Sequence, residues 1–466
     1  MKKVLMALGV AGVLFSAASC GPDPDPEPNP TPGDEVVVIK GDITSDMELT
    51  ADKKYRLEGF VYVKNGATLK IAPGTVIVGD KATKAALIIT TSGKIEANGT
   101  ATAPIVFTSA FEPGLRNTGD WGGIVLLGKA PVNVDGGEAK IEGGVVPTDA
   151  SKEKEYVWYG GSESGHSSGS LQYVRIEFAG IAYSPDNEIN SLTMGGVGSG
   201  TKISHIQVYR AGDDAYEWFG GTVNCDHLIA TYTWDDDFDT DFGYSGKVQF
   251  GLVQRAKNIA DVSGSNGFES DNNGNGTAAT PQTSAVFSNV TVVGPYEGTT
   301  FSGANANYQN SAQIRRNSSI SIHNSIFMGF PVGLYIDNTK GEPTSANITS
   351  DKLKYKNNII AGCKDALKTS SPYTIEEMTT WVNANGNSIL ESTLDAKLAD
   401  PYKFSNTVSS NTGTPDFRLA AGSPALTGAS FAGLSGFETV AYKGAFGSSI
   451  DWTEGWAEHD ADNAKY

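Results

Sequence analysis

An all-β solenoid of stacked parallel strands is the fold class that this 466-residue sequence predicts, on three observations. Glycine is abundant, at 55 residues, strand-forming residues are frequent and helical periodicity is rare, as in a turn-rich β protein. Short strand-like runs return in phase at Leu171, Ile203, Cys225, Val248, Phe287, Ile322 and Tyr355, and the middle ones are spaced about one coil apart. An acidic-aromatic phrase also recurs. Asp213-Asp214-Ala215-Tyr216-Glu217-Trp218-Phe219-Gly220 is echoed about one coil later by Asp236-Asp237-Phe238-Asp239-Thr240-Asp241-Phe242-Gly243. Looser copies are Gly267-Phe268-Glu269-Ser270-Asp271-Asn272 and Gly333-Leu334-Tyr335-Ile336-Asp337-Asn338. Regular coils with loop insertions keep such a phase, whereas a β-sandwich would not.

Residues 1–20 have the form of an export leader. Lys2 and Lys3 make a basic start, Val4 to Phe15 an apolar stretch too short for a membrane span, and Ser16-Ala17-Ala18-Ser19 a small-residue approach to Cys20. This resembles a bacterial lipobox with Ala17 where Leu is usual, so Cys20 is the expected lipidation site; ordinary cleavage beside an incidental cysteine is the alternative. Residues 21–35 alternate Pro with Asp, Glu and Asn and form an extended tether that buries no core. Residues 36–372 read as the β-helix. Gly66 to Ile77 makes one coil, Gly93 to Thr108 the next, and Trp121 to Leu127 continues it. Insertions at 136–170 and 272–283 are expected to project as loops. Residues 373–466 form a capping segment. A capping box at Thr374-Ile375-Glu376-Glu377 starts a short helix there, and Phe446, Trp452 and Trp456 are expected to cover the last open coil.

The formal charge is −18, or −20 once a leader has taken Lys2 and Lys3 away, which argues against nucleic acid as a partner and suits a surface-exposed body or one that uses cations. Cys225 and Cys363 lie far apart in the chain and show neither a disulfide framework nor zinc-site spacing. Cys225 shares a strand position with Ile203 and reads as a buried thiol; pairing of the two stays open.

Alternation along a strand places Phe238, Thr240 and Phe242 on one face and Asp239 and Asp241 on the other. With the phrases stacked so that Asp213 meets Asp236, the residues Asp239, Asp241, Glu269 and Asp271 form one outward patch. Tyr216, Trp218, Tyr335 and Asp337 flank it, and together these are the expected ligand-binding set. Sugar rings stack on aromatic faces while carboxylates take their hydroxyls. Asp236, Asp237, Asp239, Asp241, Glu269 and Asp271 are candidate ligands for calcium, which takes roughly six to eight oxygens. Carboxylates this close raise one another's pKa values, so a cation or an arginine is needed; Arg210 and Arg255, at matching positions after two strands, are the candidate counter-charges. A solvated, Arg-paired acidic ladder is the plain alternative.

Catalysis has a geometric basis too. Asp239 and Glu269, about 4.8 Å apart across coils, approach the roughly 5–5.5 Å of a retaining glycosidase pair. Asp239 and Asp241, about 6.8 Å apart along the strand, fall in the inverting range. Any acidic β-helix face supplies such spacings. His205 and His227 share a position with Asn289, Asn324 and Asn357 and read as turn or stacking residues rather than metal ligands.

Several of these motifs together resemble the parallel β-helix surface lipoproteins of Bacteroidota. They are the tether, the Gly66-Ala67-Thr68-Leu69 and Pro73-Gly74-Thr75 coil, the Asp236 to Gly243 phrase, the run Ser263 to Asn272 and Ala421-Gly422-Ser423-Pro424-Ala425. The resemblance spans nearly the whole chain after Cys20. It implies a right-handed, pectate-lyase-like β-helix, a lipid anchor and display at the surface of the outer membrane, and it implies no activity. Pectin-splitting β-helix glycosidases carry an Asp pair followed by Gly-His-Gly and Arg-Ile-Lys. Here Asp213-Asp214 echoes the pair, while Gly165-His166-Ser167 and Arg175-Ile176-Glu177 precede it and depart from the pattern. A pectate-lyase reading needs a basic proton acceptor, and Arg210, Arg255, Arg315 and Arg316 are equivalent candidates. The functional expectation is a binding protein rather than an enzyme: a lipid-anchored surface protein that takes an extracellular glycan through the acidic-aromatic face, with an outer-membrane transporter as the partner that the resemblance alone implies. The alternatives are a calcium-dependent polysaccharide lyase or glycosidase using Asp239, Asp241 and Glu269, and a structural surface adhesin.

Overall fold

A computed structural model describes residues 36–184, 187–403 and 413–466; the expected leader, Cys20 and tether lie outside these residues. The chain winds as a right-handed parallel β-helix, each regular coil adding one strand to each of three parallel stacks. Along one stack Leu171 pairs with Ile203, Ile203 with Cys225, Cys225 with Val248, Val248 with Phe287, Phe287 with Ile322 and Ile322 with Tyr355. All seven are buried, so the repeating apolar position of the sequence is the interior ladder. Cys225 and Cys363 are free thiols.

Long strands such as Lys202–Tyr209 and Asn224–Thr231 turn a corner in mid-course, where one residue adopts a left-handed backbone. The φ angles there are 49° at Tyr173, 56° at His205, 53° at His227, 61° at Phe250, and 57°, 52° and 57° at Asn289, Asn324 and Asn357. Asparagine tolerates this region, whereas bulky residues are strained in it. Stacking offsets the strain. The Tyr173 and His205 rings lie 4.3 Å apart and the His205 and His227 rings 4.2 Å apart, the latter pair within 10° of parallel. His205 and His227 are turn and stacking residues.

Helix Ile375–Ala384 begins as expected, with the Glu377 N–H donating to the Thr374 hydroxyl, and its Met378 and Val382 close on the main core. The aromatic residues near the chain's end lie elsewhere. Trp456 sits edge-on to Tyr173 and His205, at 5.8 and 5.7 Å, and Trp452 edge-on to His227 at 4.9 Å. The final segment runs back along the flank, tied by Ser430 to Asn324, by Glu438 to Gln249, by Glu458 to Gln207 and by Asp462 to Tyr209. It covers the corner ladder rather than the last coil, because the left-handed corners turn their rings outward and those rings need a lid. The 136–170 insertion also packs down instead of projecting. Strands Glu138–Lys140 and Trp158–Gly160 pair antiparallel, and Tyr156 and Tyr159 cluster with Tyr62, Ile88 and Val125.

Candidate carboxylate site

The site is built on the stack that contains strands Leu192–Gly195, Tyr216–Phe219, Phe238–Asp241, Phe268–Ser270 and Asn310–Ile314. Between the two acidic phrases Tyr216 pairs with Phe238, Glu217 with Asp239, Trp218 with Thr240 and Phe219 with Asp241. The alignment that sets Asp213 on Asp236 is therefore one residue out. A one-residue slip exchanges the two faces of a strand, so Tyr216 and Trp218 are not beside the acids. Both are fully buried. Tyr216 stacks on Phe238 at 5.6 Å, with its hydroxyl 2.8 Å from the Ile206 and Ile229 carbonyls, and Trp218 stacks on Tyr244 at 5.2 Å. They belong to the core.

What the observed register gathers outside is a block of carboxylates in parallel columns. The outermost row stacks Glu217 on Asp239 and Asp239 on Glu269, and continues through Gln313 to Tyr335. Just before each of these strands runs an acceptor ladder. The Asp214 N–H donates to Asn190 Oδ1 at 3.2 Å, Asp236 to Asp214 at 2.8 Å, Asn266 to Asp236 at 2.5 Å and Asn310 to Asn266 at 3.1 Å. Asp213 and Asp235 form a further column, and Asp241 and Asp271 lie on the other side. Carboxylate oxygens of Asp236, Asp239 and Glu269 lie within 4.8 Å of one another, and the same holds for Asp214, Glu217 and Asp239 and for Asp213, Asp214 and Asp235.

This concentration of acid is only partly neutralised. Arg315 contacts Glu269 and donates to Asp271 Oδ1 at 2.8 Å, and Arg316 donates to Asp271 Oδ2 at 2.6 Å. Burial, reinforced by neighbouring acids, holds the carboxyls of Asp213, Asp214, Glu217, Asp236 and Asp239 well above the usual carboxylate range. Burial pushes Asp241 up to about 7, with Asp271 adding to the effect, and Asp235 up to about 6. Glu269 is pushed up to about 7 by burial, against the pull of Arg315. Buried Oδ1 atoms of Asp235 and Asp239 have no hydrogen-bond partner. A buried unpartnered acceptor costs about 1–3 kcal/mol, more if charged, so the block is arranged to take protons or a cation.

Among the expected ligand-binding residues, Asp239, Asp241, Glu269 and Asp271 are brought together. Tyr335 does face outward in the Glu269 row, but Lys368 lies over its ring at 4.2 Å. Asp337 is a turn residue that accepts from the Thr339 N–H and from Gln313. Of the proposed calcium ligands, Asp237 drops out: it points into the wall of the coil, where Arg255 Nε donates to it at 2.7 Å with both side chains fully buried. Arg255 thus neutralises Asp237, while Arg210 pairs with Asp462 of the flank segment at 3.1 Å. Residues outside the expected sets also contribute: Asp213, Asp214 and Asp235 extend the block, and Glu217 and Trp234 join it. Glu217 becomes visible once the strands are aligned on their aromatic residues. Trp234, next to Asp235, is 37 % exposed, and its indole N–H donates to Asp261 Oδ1 at 2.7 Å; it is the exposed aromatic ring at this site, and only its place in a turn marked it.

A right-handed parallel β-helix with a block of stacked carboxylates on one face is the class that fold and site define. Residues 41–397 match the family described as "Pectate-lyase like beta helix domain", and the chain belongs to that family. Comparison with curated proteins and with solved structures finds no match.

Proposed function

We propose that this protein is a lipid-anchored, cell-surface binding protein that takes an extracellular glycan at the carboxylate block, with calcium held by Asp236, Asp239 and Glu269. The observation that carries the reading is the three-carboxylate cluster around the buried, unpartnered Asp239 Oδ1. Clustered hard oxygens suit calcium, which keeps open positions that sugar hydroxyls can fill. Trp234 supplies the apolar face for a sugar ring, its orientation held by Asp261. Family membership supports a carbohydrate-related or surface role. Lys2, Lys3 and the small residues before Cys20 support the anchor, and an outer-membrane transporter is the partner suited to that location. A second reading, polysaccharide cleavage, is favoured by Glu269 and Asp241, whose values of about 7 suit proton transfer near neutral pH.

The deciding experiment is a glycan array probed with and without calcium, alongside assays for reducing ends and unsaturated sugars. Retention that requires calcium, falls in Trp234→Ala and yields no product supports binding. Product formation abolished by Asp239→Asn supports cleavage instead. A melting temperature unmoved by calcium or chelator removes the ion from both readings.

A further inference from the structure

A cavity of about 710 Å³ lies at the N-terminal end of the solenoid, on a different strand stack from the carboxylates. Its floor is made by outward side chains in register: Val38 pairs with Arg56 and Arg56 with Val78, and the next row runs from Lys54 to Val76. Phe111 and Tyr466 form walls, and the volume falls within the range of small-molecule sites. The valines of the floor give an apolar body somewhere to lie beside the cationic Lys54, Arg56 and Lys465, a combination that the carboxylate face does not offer.

The head-group preference comes from Arg116, which lines the cavity and is only 8 % exposed. Its Nε donates to the Phe111 carbonyl at 3.1 Å and its Nη1 to the Ala461 carbonyl at 2.7 Å, while the guanidinium lies over the Tyr466 ring at 4.9 Å. These contacts fix its position, and no carboxylate among the described residues forms a direct ion pair with it. Glu177 feels its field, but that carboxyl is engaged by Arg175 and by the Tyr466 hydroxyl. Arg56, by contrast, is paired with Asp80 and Glu58. The other acid at the rim, Glu112, is exposed. A buried guanidinium without a direct ion partner can take an anionic head group, and here it opens onto a cavity whose floor is partly apolar. We infer that this cavity binds a small aliphatic carboxylate, its head group on Arg116 and its chain along Val38, Val76 and Val78.

The test uses the intact protein, 1-anilinonaphthalene-8-sulfonate as fluorescent reporter, and octanoate and octan-1-ol as competitors. One reporter site per chain is expected, from which octanoate displaces the dye at least tenfold more effectively than octan-1-ol. Arg116→Met should erase that tenfold preference. Because this change also loosens Tyr466, Val78→Glu is the independent variant: Val78 sits on the outward face, and a negative charge there should abolish octanoate competition while the melting transition stays intact. Equal displacement by the two competitors, or octanoate competition unchanged in Val78→Glu, would overturn the inference.

Discussion

Replacing Asp241 by Asn tests whether the carboxylate block stores unfavourable charge. Asp241 is raised from an ordinary 3.8 to about 7 by burial and by Asp271. In the folded state it therefore holds its proton over a window in which the unfolded chain has released it. The stability from that proton is fully present below about pH 4, is lost as pH rises toward and through 7, and is gone above. From pH 5 to pH 8 the loss covers about two pKa units, or about 3 kcal/mol at roughly 1.4 kcal/mol per unit. Neighbouring carboxyls share protons, so one group's worth is the expected change. His205 and His323, pushed down to about 4 by burial, act in the opposite direction below pH 6.5. The informative quantity is therefore the stability of Asp241→Asn minus that of the wild type, in which the histidines cancel. Guanidinium denaturation midpoints in chelator should show this difference growing by about 3 kcal/mol in favour of Asn between pH 5 and pH 8. Calcium at a hundredfold excess over its Kd should add about 2.7 kcal/mol to both proteins at pH 8, since Asp236, Asp239 and Glu269 are kept in the variant. A difference that stays flat with pH would refute the argument, since it would mean that Asp241 titrates as an ordinary carboxylate.

Other expectations rest on single contacts. Trp218→Ala should cost about 3–5 kcal/mol of stability by emptying a core site, whereas Trp234→Ala should leave stability within about 0.5 kcal/mol and weaken glycan retention severalfold; denaturation and array binding of the two variants separate core from site. Arg255→Met should cost about 3–5 kcal/mol by stranding Asp237, and the Arg255→Met, Asp237→Leu double variant should lose clearly less, which a double-mutant cycle measures. Asn266→Leu removes the acceptor for the buried Asn310 N–H and should cost about 1–3 kcal/mol, while Asn266→Asp, which restores the residue type used at Asp214 and Asp236, should be tolerated at acidic pH in the same melting assay.

Much of the architecture was legible because a solenoid repeats its physics. Each coil must bury the same positions, so Leu171, Ile203, Cys225 and Val248 announce the interior ladder, and His205, His227 and Asn289 announce a corner. The acidic character of the site was legible for the same reason. Less visible was its membership, which hangs on one residue of phase. The pairs Asp213-Asp214 and Asp236-Asp237 invite alignment on each other, whereas Tyr216 on Phe238 and Trp218 beside Tyr244 require a register one residue shorter. Burial of large aromatic rings outweighs the match of the acidic pairs, and that choice sent Tyr216 and Trp218 inward and added Glu217 to the outer row.

The sequence by itself determined the parallel coils, the capping-box helix and an acidic face, since local alternation, turn residues and repeat spacing are all written along one dimension. Only the tertiary structure decided three further matters: that Asp237 faces Arg255 rather than solvent, that the chain from Ser430 onward lies along the flank, and that the Trp234 indole is held by Asp261. Each depends on which distant segments share a surface, and partners brought together across coils and loops leave no periodic trace in the chain.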